Sequence, residues 1–324
     1  MRQPDFWNRR DLASRLATLL LSPLGRVYGA SVAYRAAHTE PYKPRAKVLC
    51  VGNLTTGGTG KTPIAMEMGR IIAARGNRPV FLTRGYGGHV TGPAFVAADD
   101  RATHVGDEPL LLATVAPVIV SRDRAAGARL ADAHGFDVII MDDGHQNFSL
   151  AKNVSLIVVD ADEGFGNGYV LPAGPLREPV KQGLARADAI VVNGAGAPRL
   201  GETDLPVVHS QLASTNEKSW SGIRVVAFAG IGRPEKFFAS LAALGAIVIE
   251  ARPYGDHHVY TQSEIARLKA KARAENATLI TTEKDFFRLT PAEREGIEVL
   301  RVRATFDDPA RIDRLLQPLF PHPN

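Results

Sequence analysis

Gly57-Gly58-Thr59-Gly60-Lys61-Thr62 concentrates the most chemistry in the fewest residues of this chain. Glycines let backbone N–H groups close around phosphate oxygens, a lysine adds a point charge for β and γ phosphates, a hydroxyl such as that of Thr62 ligates a divalent cation, and a helix N-terminus adds its dipole. Residues 55–62 (Thr55, Thr56, Gly57, Gly58, Thr59, Gly60, Lys61, Thr62) are therefore the candidate nucleotide site. The strict phosphate-loop pattern has glycine where Thr55 stands, with Gly52 three places earlier. A bound nucleotide also needs a metal-holding acid. The apolar run 138–141 ends on Asp142 and Asp143, and an acid at the end of a neighbouring strand plays that part in phosphate-loop proteins. Asp142 is the better placed of the two, and Asp143 could instead cap the following turn.

Two further clusters fit proton transfer. In Gly106-Asp107-Glu108-Pro109 the aspartate stands where an ordinary helix cap would, but a phosphoryl acceptor also needs a carboxylate to take its proton, and Glu108 would add an acid to the metal site. In Gly255-Asp256-His257-His258 two histidines are too few ligands for zinc, whereas a histidine polarised by a carboxylate handles protons near neutral pH; a purely structural histidine is the alternative. An anionic substrate could meet Arg84 and Tyr86 on a glycine-rich loop, Arg122, Arg124, Gln146, and Arg177 within the proline-rich segment 172–179. Arginine forks match phosphate geometry, although any single one of these could be a solvated surface residue.

These residues need a scaffold of short strands. Apolar runs at 48–51, 79–83, 117–120, 138–141, 155–160, 189–193 and 206–209 alternate with helical patterns at 62–74 and 122–134, the signature of an α/β domain with a largely parallel sheet. The polar stretch 214–219 reads as a connection, after which a second series follows: strands at 225–229, 247–249 and 279–281, helices at 237–244 and 263–274. The expected fold is thus an α/β phosphate-loop core over 47–218 with a smaller α/β domain over 219–324. Cys50 stands alone in an apolar run, so no disulfide framework is possible within the chain.

Residues 1–46 form a third segment. The net charge of +5 is concentrated there: up to Lys47 there are nine basic residues against three acidic, and 30 against 31 in the rest. Leu12, Leu16, Leu19, Leu20, Leu24, Val27 and Tyr28 recur at helical spacing among Arg15, Arg26 and Arg35, as in a helix lying on an anionic membrane surface or on the protein's own core. No transmembrane span is expected, because the longest uncharged run, 16–25, contains Pro23 and is about half the roughly 20 residues a span needs. Few aromatics are interleaved with the basic residues, which argues against nucleic acid.

Taken in order, the basic arm, Val51-Gly52-Asn53-Leu54-Thr55 with the phosphate loop, Arg84-Gly85-Tyr86, Gly106-Asp107-Glu108-Pro109, Asp142-Asp143-Gly144-His145-Gln146, segment 172–179, Asp256-His257 and Thr282-Glu283-Lys284-Asp285 resemble the tetraacyldisaccharide 4′-kinases, which phosphorylate the lipid A precursor of Gram-negative bacteria. The resemblance covers nearly the whole chain. It implies a phosphate-loop kinase core, a smaller closing domain and a site in the cleft between them. It also implies Asp107 as catalytic base assisted by His257, Lys61 and Thr62 on the nucleotide, and Asp142 and Asp143 near Mg²⁺. The expected partners are ATP, Mg²⁺, an acylated disaccharide lipid and the cytoplasmic face of the inner membrane, bound peripherally, with no obligatory protein partner. A threonine at position 55 is usual in that family. Two alternatives stay open: a membrane-associated nucleotide switch, which carries a lysine where Thr56 stands here, and a soluble small-molecule kinase, for which the arm would be dispensable.

Overall fold

The computed structural model describes residues 4–7, 9 and 11–320; Arg2 and Arg10 of the basic arm lie outside them. Its strands in chain order are β1 (Lys47–Gly52), β2 (Pro79–Thr83), β3 (Ala94–Phe95), β4 (Val118–Val120), β5 (Val138–Asp142), β6 (Val154–Asp160), β7 (Ala189–Asn193), β8 (Val207–Ser214), β9 (Arg224–Ala229), β10 (Ile247–Pro253), β11 (Thr278–Thr282), β12 (Ile297–Leu300) and β13 (Val302–Phe306). Among the described residues they form a large sheet, ordered β13-β8-β7-β6-β1-β5-β2-β4-β3, and a smaller one, ordered β10-β9-β11-β12. Pairing is parallel except at β13–β8 and β3–β4. β2, β5, β6 and β7 are buried along their whole length, which is why they read as unbroken apolar runs.

Register places the chemistry. β1 lies between β5 and β6, with Val51 level with Asp142 and Gly52 level with Ile157, and Asp160 is level with Asn193 on β7. The strand ends that bear Asp142, Asp160 and Asn193 therefore open beside the loop that leaves β1, in the crevice at the carboxyl ends of a parallel sheet. The helix Lys61–Ala74 follows that loop and buries Ile64, Met68 and Ile72 with Phe81 and Ile140 of the sheet.

The chain does not divide at one boundary. β12 belongs to the small sheet, but after Arg301 the chain crosses back, and β13 pairs with β8. Ile312 and Leu316 of the helix Pro309–Leu316 then join the main core, so residues 302–320 belong with the large sheet and not with the second domain expected over 219–324. The cause is the apolar face of that last helix, which finds its cover on the larger core. Asn216 ties the two crossings together, its side chain donating to Val299 O at 2.9 Å and accepting from Arg301 N at 2.8 Å.

The N-terminal helix Leu12–His38 reverses the usual amphipathic arrangement. Its inward stripe is made of small residues (Ser14, Thr18, Gly25, Gly29) and Val32, while Leu12, Leu16, Leu19, Leu20, Leu24 and Val27 are exposed. A Cβ on Gly25 would come within 2.7 Å of Val170 O, so the absent side chain is what lets the helix lie this close. Pro23 does not interrupt the helix, and at 27 residues it is, by length and composition, long and apolar enough to cross a membrane, contrary to the expectation from the uncharged run.

Gly52 closes β1 against His145, whose ring nitrogens bond to Ser155 Oγ at 3.1 Å and Gly183 O at 3.0 Å. Burial pulls the His145 pKa down to about 3, which keeps the ring neutral. A Cβ on Gly52 would stand 2.6 Å from the His145 Cβ. Gly52→Ala is expected to destabilise the fold by about 1–3 kcal/mol, read as a lower urea midpoint with an unchanged m-value.

Candidate active site

The loop after β1 is built to hold an anion. Gly60 takes a left-handed conformation (φ 82°) and caps the helix that begins at Lys61, so the N-terminal amides open toward the cleft. Asn193 donates to Thr59 O at 3.1 Å and accepts from Ser210, fixing the turn from β7, two places along the sheet from β1. Thr56 N donates to Pro175 O at 2.8 Å, and Thr55 is buried in a bridge to Leu176. Residues 56–62 line the cleft; Thr55 supports the loop from behind.

Two adjacent acids behave differently. Thr62 Oγ1 donates to Asp142 Oδ2 at 3.0 Å, while Asp142 Oδ1 is buried without a hydrogen-bond partner. Burial, and then the charge of Glu108, raise the Asp142 pKa to about 7. That is a carboxylate lacking a cation, with a hydroxyl beside it, and it fits a divalent ion completed by phosphates and water. Asp143 already has its cations. Arg177 clasps it with Nη1 at 2.7 Å and Nη2 at 3.1 Å, and Lys61 Nζ lies 3.7 Å away. Burial alone would raise this group, but Lys61 and Arg177 hold it well below the usual carboxylate range.

The second sheet's connections form the opposite wall and meet, at Asp107, the segment between β3 and β4 of the large sheet. Asp107 starts the helix Asp107–Leu112 and is 4% exposed. Its Oδ1 accepts from Glu108 N at 2.9 Å; its Oδ2 meets His257 Nδ1 at 3.0 Å and Arg288 Nε at 2.6 Å. Burial opposes its ionisation, but His257, Lys284 and Arg288 outweigh that and hold the carboxyl far below its ordinary value. Lys284 Nζ bonds to Glu108 Oε1 at 3.0 Å and lies 3.3 Å from His257 Nε2. Further along, Arg233 and Lys236 reach Asp160 at 2.6 and 2.7 Å, and a Cβ on Gly232 would stand 3.3 Å from Gly58 N. The second lobe thus lies directly on the phosphate loop. A single cleft of about 980 Å³ is lined by Lys61, Asp142, Glu108 and His257 and extends to Tyr28, Val32 and Arg35 of the N-terminal helix.

Residues 17–320 match the tetraacyldisaccharide-1-P 4′-kinase family. The chain belongs to that family. Its relatives include the tetraacyldisaccharide 4′-kinases of Paramagnetospirillum magneticum, 48% identical over 99% of this chain and 98% of that one, and of Methylorubrum extorquens, 46% identical over 99% and 100%. The fold is similar to the crystal structure of "apo" form LpxK from Aquifex aeolicus in complex with ATP, with a TM-score of 0.76, 25% identity, and coverage of 94% of this chain and 99% of that one.

Against this family frame, the structure brings most of the residues singled out in the sequence to one cleft but reassigns several contacts. Arg84, Tyr86, Arg122, Arg124, Gln146 and Arg177 all line it. Gln146 and Arg177, however, bond within the protein, Gln146 to Asn53 O and Glu178 and Arg177 to Asp143. Arg124 is buried against Ser121 O, and burial lowers its pKa to about 10, so it remains a cation. Of the proposed metal ligands, Thr62 and Asp142 fit, whereas Asp143 and Glu108 are engaged by Arg177 and Lys284. Asp107 lies behind His257 and does not itself line the cleft, so the imidazole meets the cleft first. His258 turns away to Glu264. Sequence reasoning gave no role to Asn193, Lys284 or Arg288. A polar residue ending an apolar strand beside the phosphate loop, and two cations four apart on one helix, were the available signals.

Because Asp142 must be ionised to take a cation, and its pKa is raised in the folded state, the apo protein loses stability as pH rises from the ordinary carboxylate range through about 7. A divalent ion held by Asp142 would recover that loss and bind more tightly as pH rises. At fixed ADP, the rise in Tm produced by Mg²⁺ is expected to be larger at pH 8 than at pH 6; an equal rise would exclude Asp142 as the ligand.

Proposed function

We propose that the chain transfers the γ-phosphate of ATP to the 4′-hydroxyl of a tetraacylated glucosamine disaccharide 1-phosphate, a step of lipid A biosynthesis. The observation that carries this reading is the one continuous cleft that holds the phosphate loop, His257 and the inner side of the N-terminal helix. In it Lys61 and the loop amides would hold the β and γ phosphates, and Thr62 and Asp142 would hold Mg²⁺, which would neutralise charge on the transferring group. His257 takes the hydroxyl proton, and Asp107 orients the imidazole through Nδ1. Arg84, Tyr86 and Arg124 face the acceptor, with Tyr86 at 5.1 Å from the His257 ring. Arg177 and Gln146 brace Asp143 and the loop floor. The direct test is radiolabelled ATP, Mg²⁺ and the acylated disaccharide in detergent, followed by chromatography of the lipid; no label in the lipid would refute the reading.

The proton-transfer roles make a separate prediction. His257→Ala should lower kcat by about 10²–10⁴-fold, and Asp107→Asn should lower it too, with ATP affinity unchanged in both. Wild-type turnover in His257→Ala would remove the imidazole from the reaction.

The enzyme would work at the cytoplasmic face of the bacterial inner membrane. Exposed leucines gain on the order of 1.5–3 kcal/mol each when taken fully out of water, and here they stand among Arg15 and Arg26, which suit anionic headgroups. Replacing Leu16, Leu20 and Leu24 by Asp should abolish flotation with anionic vesicles and leave Tm unchanged. A fall in Tm with flotation retained would mean that the leucines serve the fold.

A further inference from the structure

We propose that Lys284 is a positioning residue for the transfer: its ammonium keeps His257 unprotonated at Nε2, so that the ring offers a lone pair to the acceptor hydroxyl. The inference rests on the reading of His257 as proton acceptor.

The surroundings of the ring pose the problem. His257 holds a left-handed backbone (φ 57°), and its backbone N–H donates to Gly230 O at 3.0 Å, so the main chain that carries the ring is fixed. Three carboxylates gather around it. Asp107 Oδ2 is 3.0 Å from Nδ1, Asp256 Oδ1 is 3.8 Å from Nε2, and Glu108 stands on the far side of Lys284. An imidazole among carboxylates favours its charged form, in which both nitrogens are donors and neither accepts a proton. Two cations answer the three acids, and both come from the helix Glu283–Arg288. Arg288 neutralises Asp107 from behind, and Lys284 sits against Nε2 itself, 3.3 Å away. Tyr86 covers the ring without adding charge.

The contact with Lys284 also decides where the ring proton resides. An ammonium has three donors and no acceptor, so a hydrogen bond to Nε2 requires the lone pair there. The proton is then on Nδ1 and is donated to Asp107 Oδ2. Although burial opposes it, the charges of Glu108, Asp107 and Asp256 hold the Lys284 pKa above its ordinary value, so the ammonium persists at neutral pH. When the acceptor arrives, its hydroxyl takes the place beside Nε2 while Lys284 keeps Glu108. The O–H bond breaks and an N–H bond forms as the oxygen bonds to the γ phosphorus, the β–γ bridging P–O bond breaks, and ADP leaves.

The test compares Lys284→Met with Lys284→Arg in the full-length protein. The pH profile of kcat/KM for the acylated disaccharide is measured alongside ¹⁵N chemical shifts of the His257 ring, which need no turnover. In Lys284→Met the acid limb should move up by about 1–2 pH units, and the ring should take a second proton at a pH where the wild type is neutral with its proton on Nδ1. Lys284→Arg, which keeps a donor-only cation, should restore most of the limb. A Lys284→Met enzyme that turns over slowly with an unmoved limb and an unchanged ¹⁵N pattern would overturn the proposal, as would a wild-type ring protonated on Nε2. A wild type without lipid kinase activity would instead remove the functional reading, leaving the ¹⁵N result to stand by itself.

Discussion

Asp107 is held by two side chains from the opposite lobe, and the geometry of the cleft depends on that grip. Its Oδ2 accepts from both Arg288 and His257 while Oδ1 stays on its own helix. Breaking a buried ion pair by removing one partner typically costs 3–5 kcal/mol, because the remaining charge stays buried. Arg288 also bonds to Asp285 and to Gly230 O, the carbonyl that accepts from His257 N, so it braces the turn on which the His257 backbone rests. One carboxylate therefore joins the helix Asp107–Leu112, the Gly230 turn and the helix Glu283–Arg288 around a single imidazole.

Charge balance then distinguishes the other acids of the site. Asp143, Glu108 and Asp160 each have a cation within the protein, supplied by Arg177, Lys284, and Arg233 with Lys236. Asp142 has a threonine hydroxyl on one oxygen and nothing on the other. Four carboxylates that look alike in sequence thus divide into three neutralised by cations of the protein and one, Asp142, that bonds only to a hydroxyl, and the division follows from which neighbour each one meets.

The parts of the site that were legible in the sequence are those whose chemistry is local. The phosphate loop announces itself through glycines between a strand and a helix, Asp142 through its place at the end of an apolar run, and the strands over 79–83 and 189–193 through uninterrupted burial. Roles that depend on distant partners were not legible. Nothing near Asp107 says that Arg288 lies against it, and nothing near Asp143 says that Arg177 will clasp it. On a six-residue helix, Lys284 and Arg288 look like solvated surface charges. The N-terminal helix was legible in part: its apolar periodicity was plain, but the sequence left open whether the leucines meet a membrane surface or the protein's own core, and only the close approach permitted by Gly25 and Gly29 shows that the small residues face inward.

The double crossing between lobes bears on how the molecule can be taken apart. Since β13 and the helix behind it return to the large sheet, the second lobe is an insertion between β8 and β13 and not an appendage. A chain stopped at residue 218 would strip β8 of its outer partner, β13, and uncover Val208, which shares a core cluster with Ala304 and Ile312. Dissecting the halves would call for excising the middle and rejoining Ser214 to Val302, two residues whose backbones already lie side by side as partners in the antiparallel ladder.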